Sequence, residues 1–166
     1  MVSPELIRRY PFFSGLDYDH LVTMAKVAVE ETADAGHCFF HEGDDLKNVY
    51  LVLEGAVAMV FEVPDQEVEQ QVSGQLTGVL KTKDITVSTV GTGDVFGWSG
   101  LITPRTATAS AKAIMDCRVV AFDSDKLLQL FDEDCAFGYA MAVKAAQVIR
   151  ERLRDLRIES LAHLAE

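Results

Sequence analysis

The chain has 166 residues, 49% of them apolar and 25% charged, a balance suited to one globular domain with a sizeable core. Lys and Arg number 15 against 26 Asp and Glu, and a formal net charge of −11 argues against nucleic acid as a direct partner. No apolar run approaches a membrane span and no secretory signal opens the sequence. Three scattered cysteines (Cys38, Cys117, Cys135) form no disulfide framework, so the composition reads as cytoplasmic.

Residues 4–13 have the pattern of a short helix, with Pro4 tolerated in its first turn. Asp17 is placed to cap a second helix, in which Leu21, Met24, Ala25 and Ala28 recur at helical spacing to about Val29. From Glu30 to Asp123 the texture changes to short strand-like runs separated by glycine turns: HCFFHEGD, NVYLVLEGAVAMVFEV, VGTGDVFG, an alternating stretch over Thr106–Ala113, and RVVAFD. Many short strands with regular turn signals predict a sandwich or barrel. The polar segment 64–90 reads as an extended hairpin, with Ser73-Gly74 and Gly78 both eligible for its turn.

Helical pattern returns at Ser124. Asp123 or Ser124 caps a short helix through Phe131, and a long helix follows from about Cys135. There Ala142, Ile149, Leu156 and His163 fall seven apart, as do Ala146, Leu153 and Ser160. This partial a/d seam predicts that residues 135–166 pair with a second copy, while a helix that only covers its own barrel remains the alternative. Arg150, Arg152, Arg154 and Arg157 interleave with Glu151, Asp155 and Glu159, as on a solvated helix face. The organisation is therefore one domain: helices over 1–29, a β-roll over 30–123 and C-terminal helices over 124–166.

The stretch GDVFGWSGLITPRTATASAKA carries the chemistry. Gly97, Ser99, Gly100 and Leu101 form a turn after a strand, where exposed N–H groups can face an anion and glycine permits close approach. Arg105 adds a fork of donors that matches phosphate oxygens, and Thr106 adds a hydroxyl.

The order and spacing of these features resemble the cyclic-nucleotide-binding domain family. This is the sensor module of the catabolite activator and fumarate–nitrate regulators, of cAMP-dependent kinase regulatory subunits and of cyclic-nucleotide-gated channels. The Gly43-Asp44 turn, Gly55 within its apolar strand, Gly93-Asp94 and the Arg-Thr-Ala-Thr run all carry that likeness. It implies a jelly-roll β-roll and a phosphate cassette at 97–108 for cAMP or cGMP. It also implies a terminal helix that transmits the signal.

Two features depart from the family. Its cassette usually reads Phe-Gly-Glu, the glutamate holding the ribose 2′-OH, and here that position is Trp98, whose indole donates but cannot accept. Only Ile102, Thr103 and Pro104 separate Leu101 from Arg105, a shorter loop than in familiar binders. Two readings follow. In one, an anionic ligand sits on the cassette. In the other, Trp98 plugs the pocket, Arg105 pairs with a carboxylate, and the domain serves as a dimerisation or interaction module.

Other chemistry is poorly supported. On a strand His37 and His41 would share a face with Cys38 opposite, which gives no metal site, and the cupin His-x-His pair is missing. No haem ligand is recognisable, and Gly97-Trp98-Ser99-Gly100 lacks the second glycine of a nucleophile elbow. The chain is expected to be non-catalytic. The helix-turn-helix that transcription factors of this family carry after the long helix is not read here.

Overall fold

The computed structural model describes residues 2–64 and 82–164. Helix α1 (Pro4–Arg8), a 3-10 turn (Pro11–Phe13) and helix α2 (Tyr18–Lys26) precede eight strands. These are β1 (Ala28–Ala33), β2 (Cys38–Phe40), β3 (Asn48–Glu54), β4 (Ala56–Pro64), β5 (Thr82–Gly91), β6 (Val95–Phe96), β7 (Ser110–Ala113) and β8 (Cys117–Asp123). A 3-10 turn at Trp98–Leu101 lies between β6 and β7, and helices α3 (Ser124–Glu133) and α4 (Cys135–Leu164) close the chain.

The strands form two antiparallel four-stranded sheets, in the orders β1-β8-β3-β6 and β2-β7-β4-β5. The facing sheets bear out the expected β-roll. Strands β3 and β8 are apolar on both faces because each face has a separate core to fill. Tyr50, Val52, Val119 and Ala121 point between the sheets, toward Val57, Met59, Val90 and Ala111. Val49, Leu51, Leu53, Val120 and Phe122 point the other way, onto Ile7, Phe13, Leu21, Leu127 and Phe137 of the helical layer. Edge strand β1 buries only its end residues and exposes Glu30 and Glu31, which discourages edge-to-edge pairing.

Several expected boundaries move. The first helix stops at Arg8 and restarts as the 3-10 turn at Pro11, since proline disfavours helix at the residue before it. The second helix ends at Lys26, and Ala28 and Val29 join β1, because Ala28–Ala33 pairs in register with Phe122–Cys117. The roll thus begins at residue 28. The alternating stretch over Thr106–Ala113 is a strand only from Ser110; Thr106 makes one isolated bridge to Asp45. Of the segment 64–90 read as a hairpin, the part from Thr82 belongs to β5 and pairs with β4 (Ala56–Pro64), which but for Pro64 lies ahead of that segment; the candidate turns at Ser73-Gly74 and Gly78 lie outside the described residues.

Helix α4 has 30 residues, about 45 Å at the usual rise. Its N-terminal half docks through Phe137, Met141 and Ala145, one i, i+4, i+8 stripe, all buried. Farther on, Ile149, Leu153 and Leu156 are about half exposed. No helix among the described residues is long and apolar enough to cross a membrane.

Candidate functional site

The cassette is built at the exit of β6. Gly97 has φ +82, a left-handed value that glycine adopts without strain, and a Cβ there would lie 2.9 Å from the carbonyl oxygen of Asn48. A Cβ on Gly100 would lie 2.7 Å from Ser124 Oγ, at the start of α3. Both glycines are thus required by packing of the cassette onto β3 and α3. The Gly100 N–H donates back to Gly97 O at 3.0 Å, inside the 3-10 turn. Ser99 and Leu101 are partly buried in that turn, and Ser99 O accepts the Ile102 N–H at 3.2 Å.

Arg105 has φ +68, rare for a residue with a Cβ and costing about 1–2 kcal/mol. Its backbone is locked: Arg105 N–H donates to Ile102 O at 2.7 Å, and Arg105 O accepts from Leu46 N–H at 2.9 Å. Its guanidinium is equally committed. Nε donates to Gly100 O at 3.0 Å, Nη2 to Leu46 O at 3.3 Å, and Nη1 to Asp125 Oδ1 at 2.6 Å. Arg105 therefore ties the cassette to the turn before β3 and to α3. Thr106 is exposed beside it.

Trp98 is 6% exposed, but it does not lie between the sheets. It belongs to the helix-side core, where its ring centroid sits 4.8 Å from that of Phe12 and its Nε1–H donates to Val95 O at 3.0 Å. The expectation that Trp98 plugs the roll is corrected in location: alternation along β6 sends Phe96 inward, and the turn at Gly97 carries Trp98 outward. Aromatic rings do fill the space between the sheets, but they belong to Phe39, Phe40, Tyr50 and Phe96. Tyr50 stacks on Phe96 at 4.9 Å, and Phe39 meets both at 5.3 Å. Burial pushes the Tyr50 phenol above its ordinary pKa, and Asn48 Nδ2 donates to its oxygen at 3.3 Å.

The His37–His41 region also differs from its strand reading. His41 lies beyond the end of β2, so Cys38 Sγ and His41 Nδ1 approach to 3.8 Å, while Glu62 Oε1 lies 3.2 Å from the same nitrogen. Burial raises the Cys38 pKa, which disfavours a reactive thiolate. Among the described residues no group of three His, Cys, Asp or Glu side chains is arranged to hold a metal ion.

Sequence reasoning missed three features. Asp125, the partner of Arg105, gave no signal beyond being acidic in the first turn of α3. The inward aromatics were visible only as parts of strand runs. Arg152 does not share the solvated face assigned to it: Nη2 donates to Val95 O at 3.2 Å, and the side chain is partly buried. The stripe Phe137–Met141–Lys144–Val148–Arg152, spaced by four, three, four and four, was the available clue.

Two antiparallel sheets closed into a roll, helices on one face and a cassette between β6 and β7 define a β-roll domain of the jelly-roll type. The chain belongs to the cyclic nucleotide-binding domain family, whose model matches residues 30–134. It is 24% identical over 123 residues to a CRP-like cAMP-activated global transcriptional regulator of Mycobacterium tuberculosis, covering 74% of this chain and 48% of the relative. It thus spans about half the length of the curated relatives it matches. Among solved structures, a Geobacter metallireducens protein assigned as a cyclic nucleotide-binding protein superposes with TM-score 0.74 at 29% identity, covering 92% of this chain and 99% of that one. The Thermus thermophilus catabolite activator protein superposes with TM-score 0.63 at 22% identity, over 92% of this chain and 63% of that one, a likeness of fold.

Proposed function

We propose that this chain is a non-catalytic regulatory domain in which the cassette has become a structural clamp, and that it works through self-association of α4. The observation that carries this reading is the set of acceptors on Arg105: Gly100 O, Leu46 O and Asp125, all groups of the protein itself. A phosphate arriving at Arg105 would have to displace them, and the energy it gains would be reduced by what it breaks. The packing demands at Gly97 and Gly100 and the aromatic filling between the sheets support the same reading.

Self-association is argued from α4. Ala142, Ile149, Leu153 and Leu156 form a seam along one side. An apolar groove of about 190 Å3, walled by Ile102, Phe131 and Met141, continues it beside the cassette. A second copy presents the same seam, so a two-fold pairing covers both.

Calorimetry with cAMP and cGMP at millimolar concentration, run beside sedimentation velocity, tests both parts. The expectation is no binding heat that depends on Arg105, together with a dimer that becomes a monomer in Ile149→Glu/Leu153→Glu. Stoichiometric nucleotide binding that is lost in Arg105→Lys would overturn the clamp reading, and a monomeric wild type would overturn the pairing.

A further inference from the structure

Three turns at one end of the roll are laced together. Residues 34–37 join β1 to β2, Gly55 joins β3 to β4, and residues 114–116 join β7 to β8. Gly36 N–H donates to Ala113 O at 2.8 Å, Ala113 N–H to His37 O at 2.8 Å and Ile114 N–H to Ala56 O at 2.9 Å. Ala35 N–H donates to Asp116 Oδ1 at 2.9 Å. From beneath, the buried Cys117 thiol donates to Met115 O at 3.1 Å and to Ala56 O at 3.3 Å. A Cβ on Gly55 would lie 2.6 Å from Asp116 O, so the second and third turns are in direct contact. This end of the roll is a fixed platform.

Ile114 and Met115 crown that platform, 53% and 52% exposed, and lie outside both cores. Turns favour Gly, Asn, Asp and Ser, so two adjacent large apolar residues there run against local preference with no packing in return. A pair on a fixed backbone offers apolar surface at little entropic cost, and Met adapts to a partner's shape. The surroundings are acidic. Asp34, Glu54 and Asp116 lie on or beside the three turns and Glu31 is exposed on neighbouring β1, while 34–37, 54–56 and 113–117 contain no Lys or Arg. The flanking cations are engaged: Lys112 with Asp84, and Arg118 with Glu30 and Glu54. Asp34 and Asp116 enter no ion pair among the described residues.

We propose that this tip docks a basic segment of another protein. An apolar side chain of that segment sits on Ile114 and Met115, and its Lys or Arg groups face Asp34, Glu54 and Asp116. Charge decides among the occupants. A second copy brings the same carboxylates to a two-fold contact at the tip, and an anionic membrane or a nucleic acid brings more negative charge, so each is repelled. A cationic, partly apolar segment is steered in and then held by burial of the pair. Strand β8 runs from this tip to α3, so the surface lies at the far end of the roll from the Arg105 clamp.

The probe is the fluorescein-labelled peptide Lys-Leu-Lys-Lys-Leu-Leu-Lys-Lys-Leu, read by anisotropy at low salt. Saturable binding is expected, weakened about tenfold or more in Ile114→Ser/Met115→Ser and about two- to fivefold in Asp34→Asn. Tyr139→Ser, which removes an exposed ring from α4, should leave it unchanged. Equal affinity for wild type and Ile114→Ser/Met115→Ser overturns the proposal. So does equal affinity for a peptide in which every Leu is Ser. Amide exchange of the wild-type protein supplies a measurement that needs no variant: the peptide should protect 34–37 and 113–117, and protection confined to α4 overturns the site. Vesicles of phosphatidylserine and phosphatidylcholine should not retain the protein, and Ile114→Ser/Met115→Ser should sediment as wild type does. Vesicle retention that this variant abolishes, or a smaller sedimentation coefficient for it, would assign the tip to a membrane or to a second copy and overturn the proposal.

Discussion

Arg105 Nη1 donates to Asp125 Oδ1 at 2.6 Å while Arg105 Nε and Nη2 donate to the carbonyls of Gly100 and Leu46. The ion pair and the carbonyl contacts differ in weight. Asp125 is 59% exposed, and a pair with one exposed partner is screened and contributes up to about 1 kcal/mol. The two carbonyls lie in a partly buried setting, and removing their donor costs about 1–3 kcal/mol. Arg105→Leu is therefore expected to lower stability by about 2–3 kcal/mol and Asp125→Asn by less than about 1 kcal/mol, read from urea unfolding midpoints. Equal small effects would mean that Arg105 is not a clamp.

Gly100 and Ser124 give a packing test of the same joint. The Ser124 side chain is buried, and its Oγ has no hydrogen-bond partner among the described residues. A Cβ at position 100 would meet that oxygen at 2.7 Å and Leu46 Cβ at 3.3 Å. Gly100→Ala should cost about 1–3 kcal/mol by overpacking. Ser124→Ala removes an unpartnered hydroxyl and is expected to be neutral or to stabilise by up to about 1 kcal/mol. The double variant should recover part of the Gly100→Ala loss, a coupling of about 0.5 kcal/mol or more in a double-mutant cycle. Strict additivity would separate the two sites.

How far these features could be read from the sequence depends on what encodes them. The roll was legible because glycine turns and β-branched runs act locally, and because β3 and β8 are apolar on both faces. The cassette's type was legible from the spacing of Gly97, Gly100 and Arg105. Its chemistry was not, because the direction of the Arg105 guanidinium depends on a left-handed backbone at that residue and on Asp125, twenty positions away. The same glycine spacing serves an anion cradle or a close-packed joint, and only the neighbours at Asn48 O and Ser124 Oγ distinguish them. Trp98 was assigned to the ligand space because it replaces a ligand residue, yet the turn at Gly97 sends it to the helical core. Arg152 was hidden by the alternation of charges around it.

Trp98 is expected to behave as a core residue. Its indole packs on Phe12 and its N–H is satisfied by Val95 O. Emission should be blue-shifted, resistant to acrylamide and unchanged by cAMP. Trp98→Ala should destabilise by about 3–5 kcal/mol, the range for deleting a buried aromatic ring. A red-shifted, readily quenched emission would contradict burial.

Acid should unfold the protein through the two residues that start the C-terminal helices. Asp134 Oδ1 accepts the N–H groups of Phe137 and Ala136, each at 3.0 Å, and Oδ2 lies 3.0 Å from His20 Nε2. The Phe137 N–H foremost, then His20, holds this carboxyl below its ordinary pKa. Asp123 caps α3 by accepting the Lys126 N–H at 3.0 Å, and that backbone bond holds its carboxyl low as well. A carboxyl with a depressed folded-state pKa binds protons more readily when unfolded. Its stabilising effect is complete above the unfolded value of about 3.9 and is lost as pH falls through the lower folded value. Urea midpoints should therefore hold near neutrality and drop below about pH 4. Asp123→Ala should cost about 1 kcal/mol near neutrality through loss of the cap. Asp123→Ala and Asp134→Ala should each reduce the acid drop, because the group that titrates is gone. An acid limb of unchanged depth in both variants would place the responsible protons elsewhere.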